Sequence, residues 1–254
     1  MDIIEMLDSI SGNVGFYYKN LANNEEPELA FNHEATFIAA SIIKLPMAVA
    51  LEQLIVEGEI NHLSKLTICD SDKMPGAGGL SLIPGKFEIS IRGLINNMIA
   101  LSDNTAANKL LRLVSIRGFN DRFKQMGLEK TRVNRLLFDE EAHLRGLNNY
   151  FGLPEIMVLL QDLYNGEKYG KEASNAVMSI LRLQKVNHKI PCRIPSSVAI
   201  AHKTGEDERT THDVGIVFSK KPFLIGFASN DVDVYEMEDA IKNISLQLYL
   251  RNAN

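Results

Sequence analysis

Apolar positions along this chain follow two different periods, and the change from one to the other divides it. Near the start, residues 14–19 and 29–32 are short β-compatible runs on either side of the turn-forming pair Asn23-Asn24. Towards the end, residues 198–202, 214–219 and 223–228 read the same way, the last two joined through Lys220, Lys221 and Pro222. Between these groups the period lengthens to that of a helix. Residues 44–57, 91–100, 104–114, 119–126, 154–164 and 173–183 are predicted helices, and another over 235–250 follows the last strand. In the first of them Leu45, Val49, Leu51, Leu54 and Ile55 supply the apolar positions, and Gly58 can end the run. Pro46 is tolerated there because in a first turn its missing N–H has no intrahelical partner.

Strand segments from both ends of the chain must pair in one sheet. The pattern therefore predicts an α/β fold of the α+β kind, an antiparallel sheet flanked by terminal helices with an all-helical lobe inserted between its halves. On this reading residues 1–38 and 187–254 form the α/β lobe and 39–186 the helical lobe, with a cleft where they meet. Met74-Pro75-Gly76-Ala77-Gly78-Gly79 is the one glycine-rich stretch; it is too short and wrongly placed to bind phosphate and is expected to border the cleft.

Composition narrows the class. A chain of 254 residues with 45% hydrophobic content has ample material for a large core. The net charge of −5 and the scattered lysines and arginines exclude a nucleic-acid footprint. No run approaches the ~20 apolar residues of a membrane span. The opening Met1-Asp2-Ile3-Ile4-Glu5-Met6-Leu7 lacks the basic-then-apolar order of a secretory signal, so a cytoplasmic monomer is expected, or a secreted one if a leader has been removed. Cys69 and Cys192 are read as thiols, and the six histidines show no metal-ligand spacing, so neither metal nor cofactor is expected.

Three motifs carry candidate chemistry: Ser41-Ile42-Ile43-Lys44, Ser102-Asp103-Asn104 and Lys203-Thr204-Gly205, in that order and far apart. Each alone is weak, since an isolated Ser41 and Lys44 would ordinarily be a helix-start serine and a solvated lysine. A serine hydroxyl is a poor nucleophile unless a neighbour takes its proton. Lys44, three residues on, shares a helix face with Ser41 and can be that neighbour. It serves as a base only if burial or a second cation lowers its pKa, and Lys203 can be the second cation or can instead hold an anionic substrate group. Ser102 can relay a proton to the leaving group, Thr204 offers a hydroxyl to a substrate carboxylate, and Asn104 offers an amide to a substrate amide. Asp103 is read as a turn-stabilising residue.

The ordered triple resembles the signature of class A β-lactamases and penicillin-binding proteins, and the likeness runs from Gly12-Asn13-Val14-Gly15 to His212-Asp213-Val214-Gly215. The resemblance implies Ser41 as nucleophile, Lys44, Ser102 and Lys203 as its proton machinery, and Asn104, Thr204, Gly205 and Glu206 at the substrate. It also implies an oxyanion hole from the backbone N–H groups of Ser41 and Glu206. The implied partner is a small-molecule β-lactam or a peptide or ester acyl donor. One departure stands out: if Arg135 matches the family's loop arginine, Leu137 stands where the deacylating glutamate belongs. Three acids follow, and a shifted loop would present Glu141, or else Asp139, to the water; otherwise all three are surface charges. Glu206, Asp207 and Glu208 also place negative charge where an anionic β-lactam must approach. The leading expectation is β-lactamase activity. The alternatives are a D-alanyl peptidase or esterase inhibited by β-lactams, a sensor that acylates once, and an inactive scaffold.

Overall fold

Five strands, β1 (Asn13–Asn20), β2 (Leu29–Phe31), β7 (Ile200–Asp207), β8 (Thr210–Val217) and β9 (Phe223–Asn230), form an antiparallel sheet in the order β2-β1-β9-β8-β7. This is a computed structural model, and it describes residues 2–22 and 27–253; the Asn23-Asn24 turn lies outside them. Register is set along the full length of β1 and β9, where Phe16 faces Phe227 and Tyr18 faces Ile225. Alternate residues serve two cores. On one face Phe16, Tyr18, Ile225 and Phe227 pack against helices α1 (Ile3–Asp8) and α9 (Val234–Asn252) through Leu7, Met237, Ile241 and Leu248. On the other face Tyr17, Val214, Ile216 and Leu224 meet the large core of the inserted lobe. Covered on both sides, β8 and β9 are buried along their whole length, which is why they read as continuous apolar runs.

The inserted lobe is built around α2 (Lys44–Val56), in which every residue from Lys44 to Glu52 is buried. Around it stand α3 (Ile91–Ala100), α4 (Asn104–Val114), α5 (Ile116–Gln125), α7 (Leu153–Asn165) and α8 (Lys171–Leu181), while α6 (Glu140–Leu144) is a single short turn of helix in a loop. Caps fix the starts. Ser90 accepts from the Gly93 N–H, Asp103 from Ala106 and Ser115 from Gly118. The Ser115 cap starts α5 earlier than the apolar pattern alone indicates.

Two readings of the sequence need correction. The lobe is not wholly helical: β4 (Lys65–Ile68) pairs with β5 (Phe87–Ser90), and β3 (Thr36–Ile38) pairs with β6 (Tyr150–Gly152). Runs of three or four residues are too short to display a strand period. The strand expected over 198–202 instead runs Ile200–Asp207, so Lys203 lies inside β7 and not at its end. This edge strand carries polar residues towards the cleft, and their polarity hid it. Among the described residues no helix is long and apolar enough to cross a membrane.

Candidate active site

Ser41 lies in a 3-10 turn, Ala40–Ile43, that runs straight into α2 at Lys44. It does not open the α-helix, but in a 3-10 turn residues three apart eclipse, so the pairing with Lys44 is preserved. Lys44 Nζ is 2.9 Å from Ser41 Oγ. It also donates to the Ser102 backbone oxygen at 2.7 Å and to Asn104 Oδ1 at 2.7 Å, and stands 3.3 Å from Ser102 Oγ. Its side chain is fully buried. Burial first, then the charge of Lys203, hold the Lys44 pKa well below the usual lysine range, and Asp103 opposes them only in part.

Ser102 takes a left-handed backbone conformation, φ +54°, uncommon for a residue with a side chain. The surroundings over-determine it: the Asp103 N–H donates to the Asn97 oxygen at 3.1 Å, the Asp103 carboxylate accepts from the Ala106 and Leu80 N–H groups, and Lys44 holds the Ser102 oxygen. Asp103 is thus a scaffold residue. The strained turn sets Ser102 Oγ between two amines, 3.3 Å from Lys44 and 3.0 Å from Lys203. Lys203 Nζ also donates to the Thr204 oxygen at 2.7 Å. Burial, and then the neighbouring Lys189 ammonium, lower the Lys203 pKa to about 7 against the pull of Asp213 and Glu206.

The edge strand β7 packs against the Ser41 turn. Gly205 permits that approach: a Cβ there would stand 2.8 Å from His212 Cδ2 and 3.1 Å from Ile42 Cγ1. Behind the strand lies Lys189, which sequence reasoning missed because a lone lysine without a motif carries no signal. It is fully buried, and its Nζ is 3.0 Å from Glu206 Oε1 and 3.2 Å from the His212 oxygen. His212, also buried, is 2.9 Å from the Ile38 oxygen through Nε2 and accepts the Ser229 N–H at Nδ1; burial above all lowers its pKa to about 3, so it is a neutral structural imidazole. Among the described residues His188, Glu206 and Glu238 bring their donor atoms within 4.8 Å of one another. Lys189 already supplies the positive charge there, and Glu238 accepts from Thr211 at 3.3 Å, so the trio is an ion-pair cluster.

The cleft encloses about 390 Å³, and Ser41, Ser102, Asn104, Thr204 and Glu206 line it. Leu137 lines its opposite wall. Asn108 clamps the Leu137 backbone in both directions, its Nδ2 donating to the oxygen and its Oδ1 accepting the N–H, each at 2.9 Å. Asn108 follows Asn104 by one helical turn, a spacing that could have flagged it. Glu141 is not brought to the site. Its carboxylate is 86% exposed and faces Arg145 at 3.7 Å, whereas Asp139 and Glu140 line the cleft. Successive residues of α6 are turned by about 100°, which carries Glu141 outwards. Asp139 spends one oxygen capping α6 at the Ala142 N–H. Gly76 and Ala77 of the glycine-rich stretch do line the cleft, and Gly76 sits under the Phe138 ring.

A sheet lobe and a helical lobe meet at a serine-lysine-serine-lysine cluster whose two lysines are buried, the arrangement of a β-lactamase-like serine hydrolase. The sequence profile of the β-lactamase enzyme family matches residues 2–251, and the chain belongs to that family. It is 24% identical over 209 residues to the β-lactamase VEB-1 of Pseudomonas aeruginosa, covering 77% of this chain and 70% of that protein. The β-lactamase from Sphaerobacter thermophilus DSM 20745 has the same fold, with a TM-score of 0.89, 23% identity and coverage of 98% of this chain and 95% of that one. So does a PBP-A variant solved as an acyl-enzyme complex with penicillin G, with a TM-score of 0.86, 23% identity and coverage of 98% and 94%.

Proposed function

We propose that the protein opens β-lactams by acyl transfer to Ser41 and releases the acyl group slowly. The observation that carries this reading is the set of oxygens around Lys44 Nζ. A neutral amine has two N–H donors and one lone pair. The Ser102 carbonyl and the Asn104 amide oxygen can only accept, and each stands 2.7 Å from Nζ. Both donors are thereby committed, and the lone pair is left for the Ser41 hydroxyl at 2.9 Å. Lys44 takes the Ser41 proton as Oγ attacks the lactam carbonyl, and Ser102, polarised by Lys203, passes a proton to the departing nitrogen. The N–H groups of Ser41 and Glu206 bind the oxyanion.

Release of the acyl group needs an activated water. Leu137 has no group to activate one, and Glu141 faces solvent. On this reading deacylation is the slow step, left to Asp139, which spends one oxygen on the Ala142 N–H, and Glu140, the acids that do line the cleft. The same feature favours a second reading, a peptidase or esterase for which β-lactams are poor substrates or inhibitors. Time-resolved intact mass spectrometry with penicillin G separates the steps. One equivalent should add to Ser41 in a burst and persist. Ser41→Ala should abolish the adduct, and Lys44→Ala should slow its formation by about 10²–10⁴-fold. An adduct mapped to another residue, or rapid turnover with no accumulated ester, would defeat the proposal.

A further inference from the structure

Thr204 and Glu206 are two residues apart on β7 and present their side chains to the same face of the strand. Both line the cleft. Behind them the cationic groups available to a substrate anion are already engaged. Lys189 Nζ stands 3.0 Å from Glu206 Oε1, and its other partners are the Gly205 oxygen at 3.4 Å and the His212 oxygen at 3.2 Å. His188 Nε2 lies 3.5 Å from the same Glu206 oxygen. Lys203 is committed to Ser102 and to the Thr204 oxygen. The place beside Thr204 in which a substrate carboxylate would find its counter-charge thus holds a carboxylate of the chain itself.

We propose that Glu206 is a specificity-determining residue that fills the anion position of the cleft, so that the enzyme acylates most readily with lactams, amides or esters that bear no carboxylate beside the scissile bond. The inference rests on the acyl-transfer reading of Ser41. An incoming carboxylate must either displace Glu206 from a buried ammonium or settle beside it as a second anion, and both are unfavourable. Burial works to raise the Glu206 pKa, but Lys189 outweighs it, with His188 and Lys203 adding, and the carboxyl is held below its ordinary value. Glu206 is therefore an anion at neutral pH. Asp207, and across the cleft Asp139 and Glu140, reinforce the sign, with Arg135 opposing it.

The test compares the rates at which penicillin G and its methyl ester label Ser41 of the full chain, each divided by the compound's own rate of hydrolysis by hydroxide. The ester should label faster in the wild type. Glu206→Gln, which keeps the shape and removes the charge, should shift the ratio towards the free acid by about tenfold to a hundredfold, the scale of one charge-assisted contact. The wild-type ratio stands whether or not the variant folds: a free acid that labels as fast as its ester, or faster, overturns the inference. A ratio unmoved in a folded Glu206→Gln also overturns it. Labelling by neither compound would instead overturn the acyl-transfer reading, and the inference with it.

Discussion

Lys44, Lys189 and Lys203 are all withdrawn from water, and a buried ammonium is costly unless it is neutralised or paired. The protein uses a different remedy for each. Lys189 has Glu206, whereas Lys44 and Lys203 have lowered pKa values and hydroxyl partners. Because the two titrate together, the pH dependence belongs to the pair. Acylation of a neutral ester should fall as pH rises through about 7, where Lys203 loses its proton and ceases to polarise Ser102. A rate that stays flat across that range would refute the assignment. Stability should move the other way. Between about 7 and the ordinary lysine value of 10.5 the unfolded chain binds the Lys203 proton and the folded one does not, so this contribution is complete above 10.5 and is lost as pH falls to about 7. Urea titrations across that range should show the rise in wild type and less of it in Lys203→Met. Since Lys203 is engaged with Ser102, Lys203→Ala should slow labelling by the acid and by the ester alike.

At the scale of elements, α3 and α4 begin and end where the apolar pattern places them, because their caps, Ser90 and Asp103, are written next to the run. The serine and lysine motifs were legible for a related reason, since their spacing fits one turn. What was illegible depended on orientation or on length. Whether Glu140 or Glu141 faces the cleft is decided by the rotation of a five-residue helix, and no residue type announces that. Strand β7 hid because it carries polar residues at the edge of the sheet, and Lys189 because its partner stands on a strand, seventeen residues further on (206 − 189). The loop geometry gives a paired expectation. Glu141→Gln should leave the lifetime of the acyl-enzyme unchanged. Leu137→Glu, on a backbone already clamped by Asn108, should shorten it at least about tenfold, as a new general base would. Following the decay of the penicillin G adduct by mass checks both. Gly205→Ala should slow acylation itself, because the added methyl pushes β7 away from the Ser41 turn.

For the molecule as a whole, the sheet is the common wall of both cores, so damage to it should be felt at the cleft. Phe227, buried against Phe16 with ring centroids 5.1 Å apart, should cost about 3–5 kcal/mol when cut to Ala, read from the urea midpoint. The order β2-β1-β9-β8-β7 also sets a timetable for biosynthesis. By Glu206 the ribosome has made every residue of the proposed acylation machinery, yet β7 cannot join β1, because β8 and β9, not yet translated, are the strands that lie between them. Until Phe223–Asn230 emerges, the first strands wait with an unpaired edge, a state open to aggregation and to chaperones. Nascent chains arrested after Val217 should accordingly fail to react with a fluorescent penicillin, although they contain Ser41, Lys44, Ser102 and Lys203. Chemical competence arrives only with the late strand that contributes no catalytic group.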